Sequence, residues 1–232
     1  MSLQELILIG FYIIILMYSI IIHEVSHGIA ALWQGDKTAL YAGRITANPI
    51  RHIDFMWTIV IPIMMLMLSG GRFAFGGAKP VPFNPYNLRN QKWGSALVAL
   101  GGPASNIIIA LIFAIAARFI AIPIALKQDI IQHLGDWGTV SSVISGSVGA
   151  IFFTIFSIIV LWNVLLAFFN LIPIPPLDGS KLMFAVFKVK TETMIMLEQF
   201  GFIFLIIFIF AFSSVFGALL NFLWSLFFSI TI

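Results

Sequence analysis

Five consecutive residues, His23-Glu24-Val25-Ser26-His27, carry the strongest chemical signal in the chain. Residues four apart in a helix lie one above the other, so the two imidazoles can share one metal ion. The carboxylate beside His23 projects toward the same site and can take a proton from an attacking water. Cysteine is absent, which excludes thiolate ligands and disulfides and leaves His, Asp, Glu or water to hold a metal. The pattern predicts zinc-dependent hydrolysis, with His23 and His27 as ligands and Glu24 as general base.

What surrounds these residues is apolar. Hydrophobic residues make up 61% of the chain and charged residues 9%. Water-soluble domains carry about 25% charged residues, so this composition belongs to a membrane protein. Long apolar runs without a strict alternation indicate helices rather than a barrel. The predicted fold is therefore an all-α polytopic membrane protein, a single membrane-embedded domain over residues 1–232. The formal charge of +3 comes from short loops and says little about nucleic acid; the expected partner is the lipid bilayer, with no nucleic acid. The first apolar stretch lacks a basic n-region and a small-x-small cleavage site, so it reads as a retained helix.

Five segments must position the chemistry: residues 6–33, 55–68, 93–122, 143–169 and 200–230. The second has 14 residues and contains Pro62. That is short of the roughly 20 residues a span needs, so it forms a re-entrant or fifth membrane segment. The last is uncharged and is expected to bend at Ser213-Ser214 or Gly217. Residues 71–92 contain Arg72, Lys79, Arg89 and Lys92 and no acid, and residues 179–198 contain three lysines. The positive-inside rule puts both stretches on the cytoplasmic side and the 123–142 loop outside. A re-entrant second segment reconciles these assignments, giving about four transmembrane helices in a cell membrane with the active site facing the cytoplasm.

Counted from Leu6, His23 lies about 25 Å along the first helix, several Å inside the cytoplasmic edge of a roughly 30 Å core. A charged Glu24 there is costly unless it works on metal and water. A His pair merely snorkelling from a helix end leaves it unexplained. Catalytic zinc usually takes a third protein ligand. The candidates are His52, Asp54, His133, Asp178, Glu192 and Glu198. His133 falls in the outside loop. Asp178 closes Asn170-Leu-Ile-Pro-Ile-Pro-Pro-Leu-Asp178-Gly179, whose prolines break the fourth segment. Broken backbone persists at membrane depth where it faces protein or a wet cavity. Segments one and four run the same way, so this break reaches the level of the His pair, and Asp178 is the expected third ligand. A helix-ending turn that Asp178-Gly179 merely caps is the competing reading.

Other polar residues have two readings each. Asn106 either donates to a tetrahedral oxyanion or orients a ligand, or it binds a neighbouring helix with Gly102 and Ser105 permitting close approach. Asn163 and Asn221 read as helix–helix contacts. His52 either binds water and closes the mouth of the site or is a solvated loop residue. Residues 73–85, rich in Gly and Pro, should be extended. They form an edge on which an unfolded substrate aligns by strand addition, or a rigid surface loop.

Taken together, His23-Glu-Val-Ser-His27, Gly102-Pro-Ala-Ser-Asn106 and Asn170-Leu-Ile-Pro-Ile-Pro-Pro-Leu-Asp178-Gly179 resemble the three signatures of the site-2 protease family of intramembrane zinc metalloproteases. Asn48-Pro-Ile-Arg-His52-Ile-Asp54 and Phe75-Gly-Gly-Ala-Lys-Pro-Val-Pro-Phe-Asn84 resemble a small bacterial branch of it. The resemblance covers about residues 8–190, a catalytic core followed by a C-terminal helix over about residues 200–230. It implies one zinc ion on His23, His27 and Asp178, Glu24 as general base, and Asn106 near the catalytic centre. It also implies a membrane-protein substrate cut in or near a transmembrane helix. Only about 20 residues separate the third and fourth segments, too few for the PDZ insertion of larger members. The alternative is a non-proteolytic membrane metal-binding or metal-transport protein. The outer halves of the segments are almost free of ionisable groups, which speaks against a conduit.

Overall fold

Inside a bilayer each backbone group needs an internal partner, and helices supply it within one segment. The computed structural model describes residues 2–68, 70, 76–144, 147–189 and 191–232, without the side chains of residues 137, 191, 192, 195, 209, 210 and 213. The side chain of Glu192 and residues 73–75 of the expected extended stretch lie outside the described residues.

Helix α1 (Leu3–Trp33) starts at a reciprocal cap between Ser2 and Glu5. It ends where Gly35 adopts φ +103°, a left-handed turn suited to glycine. After a short α2 (Thr38–Tyr41), a π-helical turn (Phe55–Val60) leads into α3 (Ile61–Leu68). The long helices α4 (Gly94–Arg118) and α7 (Val148–Asn170) follow, joined by the short α5 (Ile124–Gln132) and α6 (Trp137–Val143). Then come α8 (Gly179–Phe187), α9 (Thr191–Ala211) and α10 (Ser213–Thr231). Among the described residues four helices, α1, α4, α7 and α10, are long and apolar enough to cross a membrane. Their outer faces expose large side chains such as Ile13, Ile112, Phe152 and Phe222, as a lipid-facing surface should.

The middle position belongs to α4, which packs on α1, α7, α8 and α10. Its buried face steps through Ala99, Gly102, Asn106, Ala110, Ala114 and Ala117, a ridge of small residues that lets backbones approach closely. At Gly101 an added Cβ would stand 2.8 Å from the Ser26 carbonyl oxygen of α1. At the end of α4 remote from this contact, the buried Lys127 ammonium donates to the carbonyls of Ala117 (3.2 Å), Arg118 (2.9 Å) and Thr231 (3.3 Å). It thereby ties the C-termini of α4 and α10 to the 123–142 loop.

The single C-terminal helix expected over residues 200–230 is two helices. They meet at Phe212, beside the Ser213-Ser214 pair where a bend was expected. The second, α10, packs on α4 and α7. The first rests by Gly201 on the Pro175 backbone, where a Cβ would come within 2.6 Å. Phe202 on the same helix meets Trp57 edge-on at 6.4 Å between ring centroids.

Residues 76–84 carry no helix. Alternate N–H groups point inward: Gly77 donates to the Trp57 carbonyl (3.2 Å) and Lys79 to the His52 carbonyl (2.8 Å). Val81 then donates to the Glu24 carboxylate (2.9 Å). That period of two is the signature of extended backbone. Beyond it, the Asp36 carboxylate gathers the Asn84 N–H (2.7 Å) and the Asn87 amide (2.9 Å) along with the Thr38 N–H and hydroxyl, fastening the segment to the end of α1.

Candidate metal centre

Ser19, His23 and His27 follow one another at intervals of four on α1, so one stripe of the helix presents all three to α4 and α7. The His23 and His27 rings stand perpendicular with centroids 4.6 Å apart. Gly102 makes their approach to α4 possible. A Cβ there would lie 2.6 Å from ring atoms of both histidines.

Each imidazole is oriented by its outer nitrogen. His23 Nδ1–H donates to Asn106 Oδ1 at 2.6 Å. His27 Nδ1 lies 2.8 Å from the Val98 carbonyl and 3.3 Å from the Gly102 N–H, and the shorter contact to an acceptor puts the proton on Nδ1. Both Nε2 lone pairs then face the same oxygen, Asp178 Oδ2, at 3.1 and 3.3 Å. With both imidazoles neutral and protonated on Nδ1, two lone pairs and a carboxylate oxygen converge, which is repulsive unless a cation lies among them. Ligand atoms about 2.0–2.2 Å from a tetrahedral zinc stand about 3.3–3.6 Å from one another, and the two Nε2–Oδ2 separations lie near the lower end of that range. The donor set fits zinc, and this group of three can hold a metal ion.

Asp178 reaches the site because α7 stops at Asn170 and the chain turns through 171–178, with Pro175–Pro176 in the cis form. The turn closes through Ile174 N–H to Ile172 O and Leu177 N–H to Ile174 O. At Gly179 an added Cβ would strike the Leu171 carbonyl oxygen at 2.2 Å, so only glycine lets α8 begin there. Asp178 occupies the N-cap position of α8 yet makes no capping hydrogen bond, its carboxylate being turned to the two imidazoles. This observation decides against the capping reading.

The Asn106 geometry separates its two site roles. Its carbonyl serves His23, while its amide nitrogen donates to Ser19 O (3.3 Å) and Asn163 Oδ1 (2.7 Å). Asn163 in turn donates to Ser19 Oγ (2.9 Å) and to Ile159 O (2.8 Å). Both amide hydrogens of Asn106 thus have partners within the protein, while its oxygen faces the His23 ring. Asn163 makes the helix–helix contacts expected of it, to α1 and α4, whereas sequence reasoning missed Ser19 and the link from Asn163 to the His23 partner. Their signal was a polar residue one turn before His23, and an Asn in the middle of an otherwise apolar segment.

The remaining candidates are placed elsewhere. Asp54 caps the 55–60 turn through the Met56 and Trp57 N–H groups. Glu198 pairs with Lys181, and His133 pairs with Asp129 in the 123–142 loop. His52 is 2% exposed and donates from Nε2 to Thr46 O at 2.8 Å, which overturns the solvated-loop reading. Asn221 is exposed on α10 rather than buried between helices.

Among known proteins, the family described as Peptidase family M50 matches residues 11–214. The chain belongs to that family. A protein of Bacillus subtilis (strain 168) named "Putative zinc metalloprotease YwhC" is 32% identical over 204 residues, 87% of this chain and 81% of its own length. Another, "Putative zinc metalloprotease Rip2" of Mycolicibacterium smegmatis (strain ATCC 700084 / mc(2)155), is 24% identical over 181 residues. That match covers 77% of this chain but 59% of the relative, so the chain spans less than two thirds of it. No solved structure matches. The M50 chain is thus a multi-pass membrane zinc metalloprotease of the site-2 type, with a His-His-Asp cluster able to hold its metal.

Proposed function

We propose that this M50 protein is an intramembrane endopeptidase that holds one zinc ion per chain on His23, His27 and Asp178. It cuts membrane-protein substrates in or near a transmembrane helix, from a site open to the cytoplasm. The observation that carries the proposal is the convergence of both Nε2 atoms on Asp178 Oδ2 at 3.1 and 3.3 Å, each ring locked by an acceptor on its other nitrogen.

Zinc supplies a Lewis acid that polarises the scissile carbonyl and acidifies water. The chain's own residues do the rest. Glu24 has Oε2 fixed by the Val81 N–H, which leaves Oε1 to take the proton of the attacking water and hand it to the leaving amine. Asn106, Asn163 and Ser19 hold the His23 ring, and the Val98 carbonyl holds His27. An intact substrate helix hides its carbonyls in hydrogen bonds, so cleavage needs local unwinding, and Gly, Pro or polar residues near the scissile bond should speed it. The outward edge of residues 76–84 offers carbonyls at 78, 80 and 82 but no N–H at Pro80 or Pro82. An unwound substrate strand would be received there through its own N–H groups.

Two observations support the topology. The helical stretch Phe55–Leu68 has 14 residues, about 21 Å, which suits a re-entrant segment. Gly77 returns to hydrogen-bond Trp57 at the beginning of that stretch, so entry and exit lie at one level. The core over residues 8–190 and the helices after it then act as one domain, with the basic stretches on the cytoplasmic side.

The test is metal analysis of purified protein, with cleavage of a membrane substrate by wild type and Glu24→Gln. Zinc near one per chain is expected in both, with cleavage reduced about 10²–10⁴-fold in the variant. Unchanged cleavage at full zinc content would remove Glu24 from the mechanism.

A further inference from the structure

A second polar feature lies beside the extended segment, apart from the His-His-Asp cluster. A cavity of about 450 Å³ is lined by Ala42, Arg44, Ile50, Arg51, Ile53, Lys79, Pro80 and Pro82. Three of these side chains are cationic and none is acidic. Among the described residues Arg44, Arg51 and Lys79 form no ion pair with Asp or Glu. Arg44 is only 7% exposed, and its Nε hydrogen is buried without a partner. A guanidinium withdrawn from water with an unused donor is costly, and phosphate oxygens are the acceptors that match its planar fork.

The rim indicates where that phosphate comes from. Ile50 and Ile53 line the cavity and are 76% and 41% exposed, and Leu40, Tyr41 and Phe55, near the lining residues in the chain past the end of α1, expose between 47% and 80% of their surface. Exposed apolar side chains close in the chain to clustered Arg and Lys past a helix end suit an anionic lipid headgroup, with its acyl chains alongside. A soluble phosphate ligand would have no use for that rim.

We propose that this cavity binds the phosphate of an anionic phospholipid, held by Arg44, Arg51 and Lys79, and that its occupancy steadies the segment that positions Glu24. Arg44 donates from Nη2 to the Lys79 carbonyl. Two residues along, the Val81 N–H donates to Glu24 at 2.9 Å. The lipid therefore braces the extended segment one peptide away from the contact that sets the carboxylate. The binding stands by itself, and only the coupling rests on the proteolytic reading.

The experiment is native mass spectrometry of the full chain, purified in detergent from vesicles of phosphatidylcholine alone or with added phosphatidylglycerol. Inorganic phosphate is the competitor, and cleavage is assayed separately in the same vesicles. Expected are retention of phosphatidylglycerol over phosphatidylcholine and a fall in that retention of about fivefold for each charge removed in Arg51→Gln and Lys79→Gln. Arg44→Gln gives a third variant, but its bond to Lys79 makes it a risk to folding, so the two exposed residues decide the matter. Equal retention of both lipids, or unchanged retention in the double variant, overturns the site. Binding of inorganic phosphate without lipid preference overturns the lipid assignment. Selective binding with equal cleavage in both kinds of vesicle overturns the coupling and leaves the site standing. Absence of cleavage in all vesicles with lipid selectivity intact overturns the coupling together with the proteolytic reading, and again leaves the site.

Discussion

The two ends of α4 each meet a cluster of buried polar groups, and the clusters are opposite in kind. Near the 123–142 stretch, the three N–H donors of Lys127 meet three backbone carbonyls, and Phe153 covers the ammonium at 5.3 Å. Donors and acceptors match, and the cation offsets the negative ends of two helices. Nothing is left over for a ligand. Near the His pair, Asn106 and Val98 take the outer ring protons, and with neutral imidazoles what faces inward is acceptors alone. Saturation marks a structural clamp. A surplus of one sign, held rigid by a satisfied outer layer, marks a place for something the chain does not itself contain.

That contrast breaks most severely at Asp178. In Asp178→Ala the two imidazoles lose their shared anionic partner, and the zinc content of purified protein should fall from near one per chain toward zero, with loss of cleavage. Zinc retained at full content would show that the convergence is not a metal site. A smaller effect is expected one layer out. Asn106→Ala leaves His23 Nδ1 without its acceptor and should weaken zinc binding about 10–100-fold. Chelator competition reads that change directly, and saturating zinc should restore most of the cleavage, which a purely structural loss would not allow.

At the saturated end the order of effects reverses. Lys127→Met leaves carbonyls of α4 and α10 unpaired and should destabilise the fold by about 1–3 kcal/mol in detergent unfolding, with zinc affinity unchanged. An altered zinc affinity would erase the distinction between the two clusters. The mildest expectation concerns Asp36. Burial alone would raise its carboxyl, but hydrogen bonds from Thr38, Asn87 and Asn84 outweigh burial and hold it below the ordinary 3.8. Its folded form binds the proton less readily than its unfolded form. The stability it contributes is therefore complete above pH 3.8 and is lost as pH falls through that value toward the lower folded one. Asp36→Ala should flatten this acid limb in melts recorded across it, and an unaltered limb would assign the acid sensitivity to other carboxyls.

How much could be read beforehand depended on the range of the interactions. His23, Glu24 and His27 sit within one helical turn, so the period of the helix alone brings them together. The Pro-rich break before Asp178 was legible as well, since proline forbids a regular helix wherever the chain then goes. The break at Phe212 was half legible: Ser213-Ser214 suggested a bend, but only packing separates the helix that rests on Pro175 from the one that joins α4 and α7. His52 was ambiguous because one His in a polar loop has no periodicity to reveal its burial.

Composition and local spacing by themselves determined that this is a helical membrane protein with a His-Glu-His turn near one end of its first helix. They did so because apolar burial in lipid and the 3.6-residue repeat are properties of short stretches of chain. Tertiary structure alone decided that Asp178, 155 residues beyond His23, turns from a helix cap to the imidazoles. It alone decided that Asn106 spends its amide on Ser19 and Asn163, and that the Val81 N–H steadies Glu24. Each of these depends on which of several available partners a polar atom finds when four helices close around it, and no spacing along the chain encodes that choice.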